Sequence, residues 1–62
     1  MNFATSLRVE MAKADIGRDE LAKLTGISKS CISKYRKGSR KPGWMNIRKI
    51  MAALDVPADK FL

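Results

Sequence analysis

Apolar positions along the chain recur at helical spacing, and no segment reads as a strand. Phe3, Leu7 and Met11 fall every fourth residue, which predicts one face of a helix over residues 2–14. Arg8, Glu10 and Lys13 fall off that face, and Ala4, Ala12 and Ala14 favour helix. Asp15-Ile16-Gly17 interrupts the pattern, with Ile16 expected to drop between helices as a plug. A second helix is predicted over 18–25, with Gly17 as its N-cap and Asp19 and Glu20 suiting the positive end in its first turn. Leu21 and Leu24 are expected to face inward, and Ala22 is small enough to sit where two helices cross closely. Gly26 suits a left-handed helix end, and Ile27 then packs inward.

Ser28 is a good N-cap for a third helix over 29–37. At 100° per residue, Cys31, Ile32 and Tyr35 share a sector about 100° wide, and Lys29, Ser30, Ser33, Lys34, Arg36 and Lys37 occupy the rest. Gly38 ends this helix, and Pro42 keeps it from continuing through the basic loop 39–43. Trp44, Ile47, Ile50, Met51 and Leu54 predict a fourth helix over 44–54 with Gly43 as cap. Tyr35 and Trp44 are expected in the core because both lie on apolar stripes, with Cys31 a small hydrophobe at the edge of the third helix's inner face. Asp55-Val56-Pro57 breaks the chain before a last helical turn, Ala58–Leu62. The expectation is an all-α, compact five-helix domain spanning residues 1–62.

A chain of 62 residues is near the lower limit for folding alone, since so small a domain buries only about 60% of its unfolded surface. Helices with local contacts are the economical solution, and dimerisation would help. Hydrophobic residues make up 45% of the chain, which argues against disorder. One cysteine and no histidine leave no internal disulfide and no zinc set; no metal or cofactor is expected. No apolar run reaches the ~18 residues of a membrane span, and the N-terminus lacks the order of a secretory signal. A cytoplasmic protein is expected.

Charge changes the picture most. The net charge is +7, and residues 28–41 alone carry +6 with no acid. A basic patch on a nearly neutral body is the footprint of a nucleic-acid binder. Stacking aromatics, the mark of single-strand RNA binders, are missing from the basic face. A membrane-active peptide would show continuous basic and apolar faces, whereas the second helix starts with acids. No nucleophile–base pair, carboxylate pair or glycine-rich phosphate loop suggests an enzyme.

Leu21-Ala22, Gly26-Ile27-Ser28, Ile32-Ser33, Gly38, the Arg40-Lys41-Pro42 loop and the run Ile47, Ile50, Ala53-Leu54, Val56 together resemble the lambda-repressor-like, or Cro/Xre, helix-turn-helix family. The closing Asp59-Lys60-Phe61-Leu62 is similar to that family's ending. The resemblance implies a helix-turn-helix at helices 2 and 3, the third helix in a DNA major groove, and a Cro-like repressor, with a phage switch as its setting and antitoxin or restriction-controller roles as others. By position it implies base contacts from Lys29, Ser30 and Lys34, with Ser33 weaker, and phosphate contacts from Arg18, Ser28, Lys37, Arg40 and Lys41. Arg48 and Lys49 are outlying phosphate candidates. Val56, Pro57, Phe61 and Leu62 are the expected contacts of a weak homodimer that forms largely on pseudo-palindromic operator DNA. No membrane or small-molecule partner is implied. Arg18 stands where the family commonly has Gln, Arg36 where an acid is frequent, and Gly17 and Gly43 where Ser or Thr often caps. The competing reading is a protein-interaction module of the same fold with only non-specific DNA affinity.

Overall fold

The computed structural model of the chain describes residues 3–57. Four helices follow one another: α1, Phe3–Ala14; α2, Arg18–Thr25; α3, Lys29–Lys37; and α4, Trp44–Leu54. No strand occurs among the described residues. The all-α reading holds, and α2, α3 and α4 run between the residues the pattern predicts. The expected turn Ala58–Leu62 lies outside the described residues.

Each helix contributes one side chain that solvent does not reach: Leu7, Leu21, Ile32 and Ile50. Met11, Ile27, Tyr35 and Leu54 complete the core, and Ile16, Ala22, Cys31 and Val56 are among the half-buried groups packed on it. Burying a Leu or Ile in this way contributes about 1.5–3 kcal/mol each. The Phe3 ring meets Tyr35 edge-on, 6.3 Å between centroids and at 89°. α1 packs chiefly on α3, and α2 packs on both α3 and α4. α3 is therefore gripped from two sides, and its remaining face is left to solvent.

The turns are fixed by backbone bonds at left-handed residues. Gly26 (φ 76°) closes α2 with its N–H on the Ala22 carbonyl at 2.9 Å. Thr25 is buried beside it: its hydroxyl donates to the Leu21 carbonyl at 2.8 Å and accepts from the Ile27 N–H at 3.2 Å. The corner between α2 and α3 is thus tied on both sides of Gly26. α1 and α4 end instead on aspartates, Asp15 and Asp55, each at φ 56°. Ile16 N–H then reaches the Met11 carbonyl at 3.0 Å and Val56 N–H the Met51 carbonyl at 3.2 Å, which seats an apolar residue on the core just past each helix.

Three side chains depart from the pattern. Leu24, expected to face inward, is 55% exposed. Leu21 and Thr25 point at the core, and Leu24 lies to one side of that direction. Trp44, expected in the core, is also 55% exposed. The buried part of α4 is its second half, Ile50 and Leu54; its first turn carries Trp44 and Met45 into solvent. Glu10, expected off the apolar face, is 8% exposed, because a residue seven after Phe3 and three after Leu7 returns to the same side of the helix; Lys13 Nζ lies 3.6 Å from its carboxylate. No buried side-chain nitrogen or oxygen among the described residues lacks a hydrogen-bond partner.

Candidate nucleic-acid interface

α3 has two faces with different tasks. Ile32 and Tyr35 are buried, while Lys29, Ser30, Lys34 and Lys37 are exposed on the other side. Its first turn is held by Ser28, whose Oγ accepts from the Cys31 N–H at 3.1 Å. The Ser28 hydroxyl hydrogen stays available as a donor to a phosphate oxygen. At the other end Gly38 (φ 82°) turns the chain, its N–H on the Tyr35 carbonyl at 3.2 Å. Ser39 follows, donating through its N–H (3.1 Å) and its hydroxyl (3.3 Å) to the Lys34 carbonyl. The path of the loop leaving α3, with exposed Arg40 and Lys41, is therefore set by α3 itself.

Tyr35 anchors this arrangement from inside. Asn46 Nδ2 of α4 donates to its hydroxyl oxygen at 2.9 Å. Burial, and next a hydrogen bond with the Cys31 side chain, push the Tyr35 hydroxyl above its ordinary pKa.

Most of the predicted contact residues come together. Arg18, at the start of α2, donates through Nη1 to Ser33 Oγ on α3 at 3.0 Å. Asp19 stands 3.5 Å from Arg18 Nε and 3.7 Å from Lys29 Nζ. Arg18, Ser33 and Lys29 thus form one linked group, with Ser30 exposed beside Lys29 and Lys34 further along α3. Lys37 lies at the end of α3, and Ser33, Lys37 and Arg18 line an open groove that reaches α1. Val56 is half-buried against the core and Pro57 is exposed. Phe61 and Leu62, the other expected dimer contacts, lie outside the described residues. Among the described residues no group of His, Cys, Asp and Glu gathers as a metal site.

A helix-turn-helix family model matches residues 7–61. The chain belongs to this Cro-type helix-turn-helix family. Among solved structures, the restriction-modification controller protein C.AhdI from Aeromonas hydrophila is similar, with a TM-score of 0.91 and 27% identity over 97% of this chain and 91% of that one. A comparison with curated proteins finds no match. Membership of the helix-turn-helix family makes the chain a DNA-binding transcriptional regulator. No helix among the described residues is long and apolar enough to cross a membrane.

Within the family frame, the structure adds two participants that the sequence reading passed over. Arg8 of α1 donates through Nη1 to the Arg36 carbonyl, and its Nη2 lies 3.4 Å from Thr5 Oγ1. A guanidinium on the last carbonyls of α3 suits the negative end of that helix, and it adds a cation to the groove beside Arg18, Arg36 and Lys37. Arg36, where the family often has an acid, meets Arg8 through its backbone rather than its side chain. The second participant is Asp19, read from sequence only as a favourable first-turn acid. No local signal identifies either role, because both depend on which helix packs opposite.

Proposed function

We propose that this regulator binds a specific duplex site through α3 in the major groove, as a Cro-like repressor acting on pseudo-palindromic operators as a dimer. The observation that carries the reading is the outward face of α3. Lys29, Ser30 and Lys34 stand exposed on a helix whose opposite face is buried by Ile32 and Tyr35. Lys29 and Lys34 donate to guanine O6 and N7 in this reading, with Ser30 and Ser33 as permissive partners. Arg18, Ser28, Lys37, Arg40 and Lys41 take phosphates, which fix register but carry little sequence information. Two subunits, meeting through Val56, Pro57, Phe61 and Leu62, set their recognition helices about 34 Å apart in successive grooves. If four phosphates are neutralised per subunit, the log K against log salt slope is about −7 for the dimer.

A second reading places the same DNA-binding act in the control of a restriction-modification system, favoured by the likeness to C.AhdI. Both readings require sequence-specific duplex binding, so one experiment tests their common part. Selection from a random duplex pool, followed by footprinting, should return a two-fold site. Lys29→Ala should then cost about 1–3 kcal/mol on that site and relax its sequence preference, while Lys37→Ala weakens all duplexes alike and flattens the salt slope. Indifference to sequence in the wild-type protein would leave the competing reading, a protein-interaction module, in its place.

A further inference from the structure

The exposed start of α2 is linked to α3 twice, by an ion pair from Asp19 to Lys29 and by a hydrogen bond from Arg18 to Ser33. Asp19 reaches Arg18 Nε with one oxygen at 3.5 Å and Lys29 Nζ with the other at 3.7 Å. Arg18 passes the link on to Ser33 Oγ at 3.0 Å. Among the described residues no other acid pairs with a cation of α2 or α3. Glu20, the next residue, is exposed and has no ion pair among them.

We propose that Asp19 is a positioning residue that sharpens the choice of DNA sequence by holding Lys29. The inference rests on Lys29 being a base contact. A lysine is a compact charge on a flexible stem and will find a phosphate on any duplex. A carboxylate beside it competes with those phosphates for the same ammonium, whatever the sequence. The ammonium has three donors, so one can stay on Asp19 while the others meet the two acceptors of a guanine edge. A held head group has less reach toward the backbone, and it loses less freedom when it meets a base. Asp19 therefore weakens binding to random duplex more than binding to a matched site. It also lies between two like charges, Arg18 and Lys29, that would otherwise repel where the two helices meet.

The test compares affinity for a duplex selected by the wild-type protein with affinity for a scrambled duplex of equal length. Asp19→Asn should tighten both but the scrambled duplex more, lowering the specificity ratio about two- to five-fold, the range of an exposed ion pair. Glu20→Gln removes the same charge one residue away and should tighten both alike, leaving the ratio unchanged. In a Lys29→Ala background, Asp19→Asn should no longer alter the ratio. The inference is overturned if Asp19→Asn leaves the ratio unchanged, if Glu20→Gln lowers it equally, or if the effect survives without Lys29. If Lys29→Ala alone leaves the ratio at the wild-type value, the base-contact reading of Lys29 fails and takes this inference with it.

Discussion

α3 and α4 are both amphipathic helices with regular apolar stripes, yet only one of them is buried as its stripe predicts. In α3 the stripe is Cys31, Ile32 and Tyr35, and all three meet the core. In α4 the stripe starts at Trp44, but burial is complete only at Ile50 and Leu54. The difference lies in what stands opposite. α3 is flanked closely by both α1 and α2, whereas α4 packs mainly on α2 and only lightly on α1. Its first turn is tied down by a polar contact, Asn46 to Tyr35, and leaves Trp44 and Met45, 55% and 71% exposed, in solvent. A stripe states which residues share a face; burial needs a second element to cover it.

The largest expected effect tests the covered side. Ile32→Ala should cost about 2–5 kcal/mol, because it empties a fully enclosed position between α1 and α2. Against the marginal stability of a domain this small, that loss should unfold a large part of the population at 37 °C, as a denaturant titration would reveal.

Ser28→Ala is next, at about 1 kcal/mol, from loss of the cap on α3. The cost would appear in the denaturation midpoint, together with weaker binding to DNA since the same hydroxyl is a phosphate candidate. A midpoint equal to wild type would mean that packing alone fixes the start of α3.

Tyr35→Phe joins the two helices under comparison. At neutral pH it removes the acceptor for Asn46 and should cost about 0.5–1.5 kcal/mol. Its clearer signature is at alkaline pH. The folded chain holds the Tyr35 proton more tightly than the unfolded chain does. In the window above about pH 10 the unfolded state therefore binds fewer protons, and stability falls as pH rises until the folded group has also ionised. Tyr35→Phe should lack that component, so the two stability–pH curves should converge as pH rises. Parallel curves would mean that the hydroxyl titrates equally in both states.

Trp44→Ala should have the smallest effect, about 0.5 kcal/mol or less, as for other exposed substitutions. A cost approaching that of Ile32→Ala would erase the contrast between the two helices and restore Trp44 to the core that its spacing suggested.

The helix-turn-helix itself was legible in the sequence to an unusual degree, because its determinants are local. Gly17, Ser28 and Gly43 begin helices and Gly26 and Gly38 end them, as their backbone chemistry dictates. Those signals act within one or two turns and need no knowledge of the rest of the fold. Asp15 and Asp55 at positive φ were not legible in the same way, since aspartate enters the left-handed region only in suitable surroundings. The division of α3 into a core face and a basic face also follows from spacing alone.

What the tertiary structure decided is every feature that depends on which surfaces meet. Leu24 and Trp44 are exposed because no described element covers them. Arg8 becomes part of the basic groove because α1 lies against the end of α3. Asp19 becomes the link between Arg18 and Lys29 because α2 begins beside the start of α3. Helical periodicity is a property of one helix, fixed by 3.6 residues per turn. Side-chain partners across a gap of 3–4 Å are a property of two, and a linear pattern holds no record of that distance.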